Sequence, residues 1–224
     1  MREGYKRSPL FRGMTEEEID QCIKDSGAQI ISYRKEDMIF RQNDKPRELL
    51  ILVEGSVAIG NDTPSGKRSI MGLFTEPGEL FGEVFLFLDH EEYDNYAQAM
   101  SPTKVLEIPK GYMFPTVGLG GPAHSKMLSN MMTIFARKSY YLNRRLQILS
   151  CSTLRQKIAK FLLQNVGTYD RVVLNMSREE LADFLNTARP SLSRELMKMQ
   201  EEGLIKAVRR DIIIKDLQAL KEIL

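Results

Sequence analysis

Residues 175–204 read NMSREELADFLNTARPSLSRELMKMQEEGL, and this stretch decides the C-terminal part of the fold. Ser177 is a good N-cap, and Glu179 and Glu180 put acids in the first turn, where the helix dipole favours them. Leu181, Ala182 and Leu185 make an apolar face before Asn186-Thr187 break the helix. Pro190 fits the first turn of a second helix, because its missing N–H would have no partner there anyway. Leu192, Leu196 and Met199, at i, i+4 and i+7, turn that helix's apolar side inward. Arg189, Ser191, Ser193, Arg194 and Lys198 fall on its other face. Two short helices joined by a tight turn, the second with an exposed Arg/Ser face, make a helix-turn-helix.

Working outward, Gly203-Leu204-Ile205, the basic Lys206 and Arg209-Arg210, and the β-branched run Asp211–Ile214 read as a hairpin wing whose tip can reach a phosphate. The chemistry of the exposed face suits base reading. Arginine's planar fork can donate two bonds to guanine O6 and N7, and small serines let a helix sit deep in the major groove. Charge agrees. Residues 151–210 carry eleven basic and seven acidic side chains, whereas residues 1–150 carry nineteen and twenty, so the overall charge of +2 hides a basic C-terminal region. A solvated helical pair would share the apolar pattern, but not the arginines on the outer face.

Upstream, a helix is predicted from about Ser152 or Thr153 to Val166, with Leu154, Ile158, Phe161 and Leu162 on one face and Gly167 as its stop. Before it lies a longer stripe. Met127, Ile134, Tyr141 and Ile148 are spaced by sevens, as are Leu128, Phe135, Leu142 and Leu149, and Met131 falls within the same helix. Such a helix either packs on its own N-terminal domain or serves a partner helix. We read residues 124–149 as a dimerisation helix, the stripe being imperfect at Lys138 and Arg145.

From about Gln29 to Val117 the pattern is different. Short apolar runs such as ELLILVEGSVAI, LFGEVFLFL and KVLEI alternate with Asn43-Asp44, Pro64-Ser65-Gly66, Pro77-Gly78 and Ser101-Pro102. Short strands at this spacing predict a β-sandwich or barrel. A short helix precedes them, with Thr15 as cap and Glu18 completing a capping box. The expected organisation is α+β: residues 1–121 as a sensing domain, 122–150 as the long helix, and 151–224 as a winged helix-turn-helix.

Of 224 residues, 42% are hydrophobic and 28% charged, the composition of a soluble globular protein. Cys22 and Cys151 stand alone, with no CxxC pair and no basic cluster beside them, so a disulfide framework, an iron–sulfur or cysteine–zinc site and a redox switch are all disfavoured. His90 and His124 each read as a lone surface histidine. No metal or cofactor is expected, and haem would lack a convincing axial ligand. A cupin-like metalloenzyme would need two or three clustered histidines, so an enzyme is not expected. The N-terminus has no signal-peptide core, and no apolar run is long enough to span a membrane, so a cytoplasmic protein is expected.

Over essentially its whole length the sequence resembles the Crp/Fnr family of transcription regulators. The resemblance rests on Val53-Glu54-Gly55-Ser56-Val57, the segment Pro77-Gly78-Glu79-Leu80-Phe81-Gly82-Glu83-Val84, the long helix and the winged helix-turn-helix, in that order. It implies an N-terminal double-stranded β-helix (a β-roll, or jelly roll) that senses a small-molecule effector. It also implies a homodimer on double-stranded DNA, with operator half-sites about one helical turn, roughly 34 Å, apart. RNA polymerase is a further partner of such regulators.

Cyclic-nucleotide members use a Gly-Glu pair for ribose and an Arg-Ser-Ala run about ten residues later for the cyclic phosphate. Gly82-Glu83 match the first, but the second falls on Tyr93-Asp94-Asn95-Tyr96, with no arginine between Glu83 and Met100. A buried phosphate needs a paired cation, and Asp94 would repel it. The Thr-Ser pair that meets the adenine falls near Leu142-Asn143 and is also absent. The effector expected instead is an apolar or aromatic molecule, as in the halophenol-sensing branch, held near Gly82 and Glu83 by Phe81, Tyr93, Tyr96 and Tyr140, with Phe85 and Phe87 nearby. A cyclic-nucleotide-binding regulator is the alternative.

On the DNA side, the resemblance assigns base reading to Arg189 and Arg194, with Ser191 and Ser193 beside them. The glutamate that many members place between the arginines is Pro190 here, so the operator should depart from TGTGA or TTGAT half-sites. Ser177, Arg178, Lys198, Lys206 and Arg209 are the phosphate contacts, which position rather than specify.

Overall fold

Capping decides where the helices start, and alternation decides where the strands lie, in the computed structural model of residues 4–62, 68–88, 91–114, 121–174, 176–208 and 211–224. His90, Arg209 and most of the break before Pro122 lie outside these residues. Helix α1 (Glu16–Ser26) opens on the expected capping box: Thr15 Oγ1 accepts from the Glu18 N–H at 3.2 Å, and Glu18 Oε2 accepts from the Thr15 N–H at 2.9 Å.

Eight strands follow: β1 (Gln29–Tyr33), β2 (Met38–Phe40), β3 (Glu48–Glu54), β4 (Val57–Asp62), β5 (Arg68–Phe74), β6 (Leu80–Phe81), β7 (Tyr96–Ala99) and β8 (Thr103–Pro109). They form two antiparallel sheets, ordered β1-β8-β3-β6 and β2-β7-β4-β5. A short helix α2 (Glu83–Phe87) follows β6, and α3 (Lys110–Met113) follows β8.

Strand β3 shows why the sheets stack. Leu50 and Leu52 belong to a core with Phe40, Val57, Ile59, Phe81, Ala97 and Val105, drawn from both sheets. Leu49, Ile51 and Val53 point the other way, into a second core with Ile19, Leu106, Ile108 and the long helix. The β-roll expectation thus holds, with helices covering the outer face of one sheet.

The long helix is α4 (Pro122–Leu149), 28 residues in all. The chain divides into two compact units within it, Met1–Phe135 and Ala136–Leu224. In the first unit Met127, Met131 and Ile134 are buried in the second core just described. These three were expected to face a partner helix; their burial in their own unit corrects that. His124 is also corrected: it is 5% exposed, its Nε2 lies 2.7 Å from the Tyr112 carbonyl, and its ring meets Tyr112 edge-on.

The second unit contains α5 (Leu154–Asn165), β9 (Arg171–Val173), α6 (Arg178–Phe184), α7 (Arg189–Glu201), β10 (Ile205–Val208), β11 (Asp211–Ile214) and α8 (Leu217–Glu222). The wing is three-stranded, in the order β10-β11-β9, because β9 pairs with β11. That strand was not expected from the sequence. Its core gathers Ile148, Ile158, Phe161, Leu162, Leu181, Leu185, Leu192, Leu196, Met199 and Ile212.

Candidate nucleic-acid interface and sensor interior

The helix-turn-helix is built from local rules. Ser177 caps α6 through a capping box of its own: its Oγ accepts from the Glu180 N–H at 3.2 Å, and Glu180 Oε2 accepts from the Ser177 N–H at 2.6 Å. The turn passes through Asn186 at φ +51°, a left-handed conformation that asparagine tolerates. Pro190 occupies the first turn of α7 as expected. Leu192 and Met199 are fully buried, which fixes the opposite face of α7 toward solvent.

That face carries Arg189, Ser193, Arg194 and Lys198, all exposed, with Ser191 half-buried beside them. Arg189 Nη1 lies 3.6 Å from Glu179 Oε2 on α6, both side chains being mostly exposed. Such a surface pair is weak and gives way readily to a phosphate or a guanine edge. Arg194 lies along its own helix, donating to the Pro190 carbonyl and to Ser191 Oγ at 3.4 Å each. These long bonds aim the guanidinium without consuming it.

Met197 is 60% exposed on the same face and was not singled out from the sequence. Its position, five residues past Leu192 and one turn beyond Ser193, was the available signal. A methionine there offers apolar contact to a thymine methyl.

The phosphate candidates divide. Lys198 on α7 and Lys206 on β10 are exposed. Ser177 is exposed, and its cap uses an oxygen lone pair, leaving the hydroxyl proton to donate. Arg178 differs: it is half-buried, its Nη1 is buried with no hydrogen-bond partner among the described residues, and burial lowers its pKa. This turns part of its guanidinium away from solvent. Arg155 on α5 was also missed. It donates from Nε to Glu195 Oε1 at 2.6 Å, and from Nη1 and Nη2 to both Glu202 oxygens at 2.6 and 2.9 Å. That fork ties α5 to α7 at Glu195 and to the residue just past its end, and so fixes the recognition helix.

In the sensor, Phe81, Glu83, Tyr93 and Tyr96 are all buried. Gly82 sits at φ +71°, and a Cβ there would come 3.1 Å from the Phe40 ring and 3.4 Å from that of Tyr93. Tyr93 stacks on Phe40 with centroids 3.7 Å apart, and Phe85 meets Tyr93 edge-on at 5.2 Å. The aromatic residues expected to line an apolar pocket therefore pack on one another as core. Phe87 turns outward instead, to Phe114 and Phe135. Tyr140 belongs to the second unit, where it is 65% exposed with Arg144 over its ring.

Along α4, Leu128 and Phe135 are half-buried in the first unit, and Met132 is 73% exposed. In the second unit Tyr141, Leu142 and Leu146 are about as exposed, at 60%, 59% and 63%, and Leu149 is half-buried. Met132 and Leu146 escaped the sequence reading. They alternate with Leu128, Phe135, Leu142 and Leu149 in steps of four and three, with Ser139 completing the series.

Cys22 is buried, and burial pushes its thiol pKa up, away from thiolate reactivity. Among the described residues no cluster of three metal-ligating side chains occurs, and no helix is long and apolar enough to cross a membrane.

A β-roll joined to a winged helix-turn-helix with an arginine-bearing outer face defines a DNA-binding regulator with a sensory domain. Residues 156–223 match the Crp-like helix-turn-helix domain, and residues 30–115 match the cyclic nucleotide-binding domain. The chain is 29% identical over 219 residues to the cyclic AMP receptor protein of Thermus thermophilus, covering 97% of each chain. It is 27% identical over 190 residues to the transcriptional activator protein anr of Pseudomonas aeruginosa, covering 82% of this chain and 75% of that one. The crystal structure of the Thermus thermophilus catabolite activator protein superposes with a TM-score of 0.53 at 28% identity, covering 96% of this chain and 98% of the other. The chain belongs to the Crp/Fnr family of transcription regulators.

Proposed function

We propose that this regulator acts as a homodimer on a two-fold DNA operator, under the control of a small-molecule effector, other than cyclic AMP, bound in the β-roll. The observation that carries the effector reading is the Phe40–Tyr93 stack standing over Gly82, in a segment with Asp94 and no arginine. A cyclic phosphate there would lie beside rings and a carboxylate instead of a guanidinium, at a desolvation cost with nothing to offset it. The Thermus thermophilus relative is named for cyclic AMP; in this chain the segment from Glu83 to Met100 has no arginine to pair with a cyclic phosphate.

The dimer reading rests on the exposed apolar positions Met132, Leu142 and Leu146, spaced as a coiled-coil seam. Arg189 and Arg194, with Ser191 and Ser193, read bases; Lys198, Lys206, Arg209 and Ser177 hold phosphates, and RNA polymerase is a further partner. Effector binding shifts packing along residues 124–149 and so the pose of the two recognition helices, a population shift between dimer states. The protein works in the cytoplasm without enzymatic activity, haem or an iron–sulfur cluster. The relatives named above are transcription regulators, which supports this reading.

The test is a fluorescence-anisotropy titration of the full chain onto a duplex selected from random DNA, with and without saturating cyclic AMP. The expected result is sequence-specific binding that cyclic AMP leaves unchanged. Tightening by about tenfold, or 1.4 kcal/mol, would restore the cyclic-nucleotide alternative.

A further inference from the structure

At one end of the β-roll the inward face of the β1-β8-β3-β6 sheet stops being apolar. Leu50 pairs with Glu107 across β3 and β8, and Glu48 lies two residues before Leu50, so both carboxylates share the face that buries Leu50 and Val105. They open onto a cavity of about 250 Å³, bounded also by Ile39, Phe40, Tyr93 and the turn carrying Asp44, Lys45 and Arg47.

Glu48 and Glu107 are each half-buried. Tyr33 donates its hydroxyl to Glu107 Oε1 at 2.6 Å, which fixes the position of that carboxylate. Burial and the charge of Glu107 push the Glu48 pKa up, against the opposing pull of Arg47. Two acids held beside an apolar core repel each other, and burial leaves them less screened than on an open surface.

The second observation is Tyr93. It is 3% exposed, and its ring is fixed by the stack on Phe40 and the edge of Phe85. Its backbone is pinned as well: its N–H donates to the Asp44 carbonyl, and its own carbonyl accepts from the Asn43 N–H, both at 2.9 Å. Its phenol lines the cavity, under the charges of Glu48, Asp44 and Glu107, and has no hydrogen-bond partner among the described residues. The residue lines the cavity, and a ring fixed on two sides cannot swing its hydroxyl away to a partner elsewhere. The phenol is thus set for a group that the chain does not itself supply.

We infer that this cavity is the effector site and that its ligand is a small organic cation, an ammonium or guanidinium head that lies between Glu48 and Glu107 and accompanies a group hydrogen-bonded to the Tyr93 hydroxyl. A cation here removes the repulsion between the two acids. A metal ion fits less well, because no third ligating side chain completes a cluster among the described residues. Lys45 and Arg47 are exposed at the rim, where they suit an anionic tail, so a zwitterionic amine such as an amino acid matches both ends. The inference rests on reading the β-roll as an effector sensor, and it moves the ligand from the packed aromatic core to the polar cavity beside it.

The test is isothermal titration calorimetry on the full chain with butylamine, putrescine and L-arginine, and with butanol as the neutral counterpart. At least one cation should bind while butanol does not. Glu48→Gln combined with Glu107→Gln should weaken that binding by about tenfold or more. Tyr93→Phe keeps the ring stack and so guards against a folding artefact; it should weaken the same binding by about fivefold. The inference fails if none of the three cations binds, if butanol binds as well as butylamine, or if the double variant, folded by circular dichroism, keeps the parent affinity. A DNA titration of the parent chain judges the regulator reading separately: its failure would sink that reading and leave the calorimetric result for the cavity intact.

Discussion

The two units place their polar side chains in opposite directions. In the DNA-reading unit the chemistry faces out: Arg189, Arg194 and Lys198 stand exposed on a helix whose other side is solid core. In the sensor unit the chemistry faces in: Glu83 and Tyr93 are buried, and Glu48 and Glu107 are half-buried on a cavity at one end of the roll. An outward site needs only a rigid helix and the right side chains, because the partner brings its own shape. An inward site must also leave room, and room depends on how every neighbouring side chain packs. The first can be read from period and residue type. The second cannot.

The largest effect is expected at the rigid helix itself. Leu192 is fully buried in the core of the second unit, so Leu192→Ala should cost about 2–5 kcal/mol of that unit's stability, read by thermal or urea unfolding. A cost under about 1 kcal/mol would mean that α7 is not anchored as described.

Next come the outward arginines. Arg189→Ala and Arg194→Ala should each weaken specific DNA binding by about 1–3 kcal/mol and relax preference at one base, with little change in stability. Anisotropy titrations on matched and mismatched duplexes read both effects. Arg155→Ala probes the clamp behind them. Losing its bonds to Glu195 and Glu202 should cost about 1–2 kcal/mol of stability, and DNA affinity should fall as α7 loosens. Unchanged stability would show that the fork does not fix α7.

The helix shared by the units gives a third contrast. Met132→Glu and Leu146→Glu place charges on exposed apolar positions of the same seam, whereas Met127 and Met131 are buried in their own unit. The two glutamate variants should shift sedimentation from dimer toward monomer while leaving helical content unchanged. A parent chain that sediments as a monomer would refute the seam. The smallest expected effect is Ser177→Ala, about 1 kcal/mol of stability from the lost α6 cap, again read by unfolding.

Legibility followed the same division. The capping box at Thr15, the N-cap at Ser177, the place of Pro190 and the inward set Leu192, Leu196 and Met199 rest on local rules, and each stands where its spacing predicts. Strand β9 was missed because three residues carry too little pattern and form a strand only by pairing with β11. The long helix was legible as a stripe, but an apolar residue looks the same whether its own domain or a partner covers it. That is why Met127 and Met131 were misplaced and Met132 and Leu146 overlooked. Glu48 and Glu107 did leave a trace, since alternation in ELLIL and VLEI puts each carboxylate in phase with buried neighbours. Deciding that such a residue lines a space and is not at a frayed strand end required the cavity itself.

The central claim, that α7 reads DNA through Arg189 and Arg194, is tested most directly by selecting binding sites from random duplexes with the purified chain and then titrating the double alanine variant onto the selected sequence. The account predicts a two-fold symmetric site with half-sites about one helical turn apart, and a loss of about 2–6 kcal/mol of specific binding in the double variant. A selection that enriches no sequence, or a double variant that binds the selected site as tightly as the parent, would contradict it.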